Sequence, residues 1–162
     1  MNSRRKMKSN NCGLCLLLLT VALAIAGCNR NTIYHHYEHT PLEGWEKNDT
    51  LVYCVPAASQ RAVVKREVEM RISGEFPFQS IYLIVEQTTL PSHIRRRDTV
   101  NCNLINSHGI IMGDGLSLFE YRFPMPDISL NEGDSLFVCI RHNMKREILP
   151  GVADVGLRLT AY

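Results

Sequence analysis

The chain lacks nearly every local pattern that announces an enzyme. No Gly-x-Ser-x-Gly elbow surrounds a serine, so nucleophilic hydrolysis has no local signature. There is no His-Glu-x-x-His, and after residue 28 no two cysteines lie a few residues apart, which excludes the usual zinc patterns. Asp114, Asp127, Asp134 and Asp154 are scattered without calcium-loop spacing. Gly113-Asp114-Gly115 lacks the Lys and Ser/Thr of a phosphate loop. The longest apolar run, Leu14 to Ala26 with Thr20 inside it, falls short of the ~20 residues of a spanning helix. The sequence therefore assigns no catalytic residue, no metal and no cofactor.

What is present begins at the N-terminus. Arg4, Arg5, Lys6 and Lys8 make a basic start, the apolar run follows, and Ile25-Ala26-Gly27-Cys28 closes it. That is a lipoprotein signal: small residues before the cut admit a peptidase, and the Cys28 thiol takes the diacylglycerol. An uncleaved anchor and an ordinary cleaved signal are the competing readings. Removing residues 1–27 lowers Lys+Arg from 18 to 14 against 16 Asp+Glu, turning +2 into −2. The remaining charge is mixed, so nucleic acid is not an expected partner. Cys12 and Cys15 leave with the signal. Cys54, Cys102 and Cys139 remain, which permits at most one disulfide and otherwise suits small apolar residues in strands.

Three regions follow: 1–27 as signal peptide, 28–41 as a polar tether, and 42–162 as one folded domain. The tether reading rests on Asn29 to Thr32 and on Tyr34-His35-His36-Tyr37-Glu38-His39. His35 and His39 could share a metal only on a helix, and this segment has no helical apolar face. Beyond Gly44 the period is two. Val64, Val68, Met70 and Ile72 alternate with Lys65, Glu67, Glu69 and Arg71, with Arg66 the exception on the apolar side. Ile81 to Val85 is apolar throughout and reads as a central strand covered on both faces. Asp98 to Leu104 alternates, Leu116 to Phe123 runs to Pro124, Ser135 to Arg141 follows the Asn131-Glu-Gly-Asp134 turn, and Leu157 to Ala161 ends the chain. The fold expected is all-β: an antiparallel β-sandwich, Ig-like or jelly-roll-like, of about seven to eight strands. Arg95-Arg96-Arg97 reads as a solvated hairpin tip between two of them.

Several segments resemble the GldH family of gliding-motility lipoproteins of the Bacteroidetes. They are the lipobox at Cys28, Trp45-Glu-Lys-Asn-Asp49, Phe76-Pro-Phe-Gln-Ser-Ile-Tyr-Leu-Ile-Val85 and Gly113-Asp-Gly115. The family's glycine loop usually has a tryptophan before the glycines, and here Ile111 or Met112 stands near that place. Ile140-Arg-His-Asn-Met144 followed by Leu149-Pro-Gly-Val-Ala-Asp-Val-Gly-Leu157 is similar to the family's closing signature. The resemblance implies an envelope lipoprotein associated with gliding and carries over no catalytic residue. Asn29-Arg30-Asn31 lacks the acidic residues that follow the cysteine in surface-exported lipoproteins of that phylum. This implies an outer-membrane anchor with the domain facing the periplasm.

The expected function is a non-enzymatic accessory lipoprotein. Its partners would be membrane lipid, through acylation of Cys28, and other envelope proteins, met through Trp45 and the Gly113, Asp114, Gly115 loop. For Trp45 a lid over the core is the bland alternative. A second reading is a periplasmic sandwich that binds carbohydrate or lipid under the same loop. A hydrolase would need His108, His142 and the aspartates to converge. Asp154 is expected to order the turn before the last strand by accepting backbone N–H bonds.

Overall fold

The computed structural model describes residues 31–162; the signal segment and Cys28 lie outside the described residues. Eleven strands occur in this region: β1 Thr32–His39, β2 Trp45–Glu46, β3 Leu51–Val55, β4 Ala62–Ser73, β5 Ser80–Leu90, β6 Ile94–Asn103, β7 Asp114–Gly115, β8 Leu118–Leu130, β9 Ser135–His142, β10 Ile148–Leu149 and β11 Val152–Ala161. Eight are long and three have two residues each, so the expected number describes the long ones. Every pairing is antiparallel, and no helix occurs among the described residues.

One sheet runs β1-β11-β4-β8-β7, a second runs β3-β9-β5-β6, and β10-β2 forms a small ribbon. The two large sheets share one apolar core. Val64, Val68, Met70, Val155, Leu157 and Leu159 come from the first, and Tyr53, Ile81, Leu83, Val85, Val138 and Ile140 from the second. The Tyr53 hydroxyl crosses between them to donate to the Val155 carbonyl at 2.8 Å. β5 lies between β9 and β6, and both Leu83 and Ile84 are buried. An unbroken apolar run needs such two-sided cover.

Three differences from the sequence reading have physical causes. Residues 32–39 are not tether: they form β1, an edge strand in register with β11 from Thr32↔Thr160 to His39↔Asp154. Arg95–Arg97 are not at a hairpin tip: they lie in β6, opposite Thr88, Gln87 and Glu86, on an edge that charged side chains keep from pairing further. β8 runs through Pro124 and Pro126 to Leu130. Prolines fit there because beyond Glu120 only β4 pairs with this strand among the described residues.

Arg66 also departs from the pattern and belongs inside. It is almost fully buried. Its Nε donates to Pro126 O at 2.8 Å, Nη1 to Gln87 Oε1 at 3.0 Å, and Nη2 to Asp98 Oδ2 at 2.9 Å. A register shift between Val64 and Arg66 accompanies the β4–β8 pairing here. One guanidinium thus ties β4 and β8 of one sheet to β5 and β6 of the other.

Candidate functional site

The chain enters the described domain at Asn31, where Thr32 sits beside Thr160 and Ala161 sits beside Val64. The loop from Leu104 to Ser117 begins after β6 and ends where Leu118 pairs with Ser73. Val64 and Ser73 are at opposite ends of β4, roughly 30 Å apart at strand rise. The loop therefore occupies the pole remote from the point of chain entrance.

This loop is well bonded. Asn106 Oδ1 accepts the N–H of His108 at 2.9 Å and of Ile110 at 3.0 Å, Asn106 N–H donates to Ile110 O, and Met112 N–H donates to Leu104 O. Gly115 adopts φ +146°, and a Cβ there would lie 1.9 Å from Leu118 O, so only glycine closes the β7–β8 turn. Despite this order the loop holds apolar side chains in solvent: Ile110, Ile111, Met112, Leu116 and Leu118, with Leu116 98 % exposed.

Beneath the loop lies a cleft of about 450 Å³. It is lined by Met112 of the loop, Asp114 of β7, residues 120–123 of β8 and Asn103 of β6. The Tyr121 and Phe123 rings are nearly parallel, 8° apart in plane with centroids 6.1 Å apart. Gly113 rests on the Tyr121 ring, where a Cβ would come within 2.6 Å. Burial pushes the Tyr121 phenol up, partly offset by hydrogen bonding to the Gly113 main chain. Glu120 and Arg122 pair at 3.0 Å on the rim.

The sequence-derived site residues divide here. Asp114 lines the cleft, Gly113 rests on Tyr121, and Gly115 shapes the adjoining turn. Trp45 does not join them. It is 0 % exposed, so it is core and not a contact surface. Its Nε1 donates to Asp49 O at 3.1 Å, and its ring meets His142 edge-on at 5.2 Å. The sequence placed Tyr121 and Phe123 in a strand, but their place in a cleft depends on the loop folding back, which periodicity does not encode.

A model of GldH lipoproteins matches residues 32–159. The chain belongs to the GldH lipoprotein family. A relative named gliding motility lipoprotein GldH, from Flavobacterium johnsoniae, is 24 % identical over 160 residues, covering 94 % of this chain and 98 % of the relative. Among solved structures the overlaps are slight. An aminopeptidase from a marine-sediment Thaumarchaeota archaeon gives a TM-score of 0.37 at 12 % identity over 70 % of this chain, which spans about a quarter (24 %) of that enzyme. The Eiger TNF of S. frugiperda gives 0.31 at 12 % identity, covering 82 % and 94 % of the two chains. Neither likeness bears on function. The family is named for gliding motility and not for a reaction; the protein is thus a lipoprotein of the cell envelope.

The closing segment of the GldH-family match builds a polar cluster on the outer face of the β1-containing sheet. Asp154 lies in β11, not at a turn, and its carboxylate engages His39 Nδ1 and, at 3.6 Å, Arg71. The order it supplies is the docking of β1. Tyr37 lies across Gly156, its register partner, where a Cβ would meet the ring at 2.7 Å. Arg71 stacks on the same ring at 4.2 Å. Under this canopy Glu69 is fully buried, accepting from Tyr37 Oη and bonded to His35 Nε2, each at 2.6 Å. Burial alone would raise its carboxyl, but the Tyr37 and His35 hydrogen bonds, with the charges of His35 and Arg122, hold it below the usual value. His35 and His39 thus serve separate carboxylates, and no metal-holding group of three occurs among the described residues.

His142 is buried and works only on main chain: Nε2 donates to Trp45 O at 3.2 Å, and Nδ1 accepts from Met144 N–H at 3.4 Å. Burial lowers its proton affinity. His108, by contrast, is exposed in the apolar loop. Cys54, Cys102 and Cys139 are free thiols. Cys102 is buried, which pushes its thiol up to about 12.

Proposed function

We propose that this protein is a non-enzymatic accessory component of the gliding apparatus, acylated at Cys28 in the outer membrane, facing the periplasm, and binding other envelope proteins through the apolar loop. One observation carries this reading: five large apolar side chains between Ile110 and Leu118 are held in solvent by a loop whose backbone is hydrogen-bonded. A soluble face normally hides such side chains, and a contiguous exposed group marks an interaction surface. Its position supports the direction of binding. From Cys28 to Thr32 the chain reaches about 14 Å, so the acylated end keeps the Asn31 pole near the lipid and the loop pole away from it. The mixed charge after residue 28 suits a domain among proteins and not on nucleic acid, and the absence of acidic residues at 29–31 supports the periplasmic orientation.

Site-specific photo-crosslinking in living cells tests the reading. A crosslinker at Leu116 should trap one or more envelope proteins, and the same group at exposed Val63 should not. Equal capture at both positions, or none at Leu116, removes the docking role.

A further inference from the structure

We propose that the cleft beneath the 104–117 loop is a saccharide-binding site. The docking surface and this site share Met112 but otherwise use different groups: the first uses Ile110, Ile111, Leu116 and Leu118, the second the space lined by Asn103, Asp114 and Phe123.

The chemistry of the walls selects the ligand class. Phe123 is a partly exposed aromatic ring, nearly parallel to Tyr121, and offers an apolar plane to the C–H face of a sugar ring. The cleft is also lined by a donor and an acceptor without ion-pair partners among the described residues, the Asn103 amide and the Asp114 carboxylate, while Glu120 and Arg122, paired to each other, stand at its edge. Hydroxyls donate and accept at once, so a sugar uses both kinds. The cleft volume falls in the range of small-molecule sites. A lipid chain would need apolar enclosure, and these walls are mainly polar. A peptide strand laid along the free edge of β8 would meet Pro124, which has no N–H to offer.

A second observation is a conflict that the fold does not need. Asp114 and Glu120 are direct register partners on β7–β8, and like charges opposite one another weaken a ladder. Glu120 has Arg122 at 3.0 Å, but the Asp114 carboxylate has no hydrogen bond or ion pair among the described residues. Asn103, exposed across the cleft, also has no side-chain partner among them. Both groups face solvent, and a hydroxylated ligand that donates to Asp114 and bridges to Asn103 takes the place of water there. Departures from local consistency of this kind concentrate at functional sites.

The test uses the full-length protein in a detergent without a sugar head group, labelled with ¹³C at the methionine methyls. Met112 lines the cleft and reports it directly. Cellotriose, maltotriose, mannotriose and chitotriose are titrated in turn. At least one should shift the Met112 methyl saturably. Asn103→Ala and Asp114→Asn should each weaken that binding about tenfold, the effect of roughly 1.4 kcal/mol, and Leu116→Ser should leave it unchanged. Both cleft positions are exposed, so these variants keep the fold. If no saccharide moves Met112, or if binding ignores both cleft substitutions, the site is not a saccharide site. Loss of crosslinking at Leu116 with saccharide binding intact would remove only the docking role.

Discussion

Two buried titratable residues set how this protein responds to acid. His142 is neutral in the fold because burial disfavours its cation, which then would sit beside Lys47. The unfolded chain takes up that proton near 6.5, so His142 contributes stability above that pH and loses it as the pH falls below. Glu69 has a lowered folded value against a usual 4.5. Its contribution is full above about 4.5 and disappears as the pH falls through the lowered value. Both act in the same direction, so denaturant midpoints should decline as the pH falls below about 6.5 and further as it falls below about 4.5. Glu69→Gln should remove the lower stage and keep the upper one. A pH-independent midpoint would mean that neither group is held as described. Arg66 is the other residue whose removal is costly. Arg66→Ala leaves Gln87 and the partly exposed Asp98 without their donor, and should cost about 3 kcal/mol in equilibrium unfolding, the lower end for a broken buried pair. Arg66→Lys keeps the charge but loses the three-way fork and should fall between. The sequence marked Arg66 only as an interruption in an apolar series. Its three acceptors come from β8, β5 and β6, and no local pattern joins them.

At the scale of elements, alternation was informative wherever one face of a strand met the core. β4 is the clearest case, with Val64, Val68, Met70 and Ile72 all buried as the pattern required. Glu69 is the residue it misplaced: it is on the outward face yet fully buried, because β1 lays His35 and Tyr37 over it. β1 itself was hidden by composition. Only Ile33 and Tyr34 pack against the core; His35, Tyr37 and His39 bind carboxylates and fill a glycine gap, so a strand read as a polar tether. The site was legible in part. The Gly113–Gly115 loop was singled out, and its floor of Tyr121 and Phe123 was not. Trp45 stood out as the single tryptophan, but a lone aromatic does not say which side of the surface it occupies. The central position of β5 gives a sharp comparison. Ile84 is 4 % exposed, and Ile84→Asp would bury an unpartnered carboxylate, at a cost of several kcal/mol. Lys65 on the outer face of β4 pairs only with Glu67 at the surface, and Lys65→Asp should shift the melting temperature slightly. Equal shifts for the two variants would contradict the two-sided cover of β5.

Across the whole molecule the two ends of the sandwich have different surroundings in view. One receives the chain from residue 30, and the other carries the apolar loop and the cleft. That polarity has a use only if the first end is held at a membrane. Acyl chains supply the hold at about 0.8 kcal/mol per buried CH₂, and two or more chains make it stable. In the proposed function the thiol of Cys28 is the group on which they are built, whereas Cys54, Cys102 and Cys139 lie in strands of the folded domain. Cys28→Ala should therefore abolish the mature, membrane-associated species, leaving an uncleaved precursor or a soluble form. Cys54→Ala should leave fractionation unchanged. The domain begins at β1, beyond the substituted residue, so the Cys28→Ala form should keep the β-sheet circular dichroism of the native protein. Crosslinking from Leu116 should fall with it, since a loop no longer held at the membrane meets its partners only by diffusion. A mature Cys28→Ala protein that still sediments with membranes would show that the anchor lies elsewhere, and the polarity of the sandwich would then need another explanation.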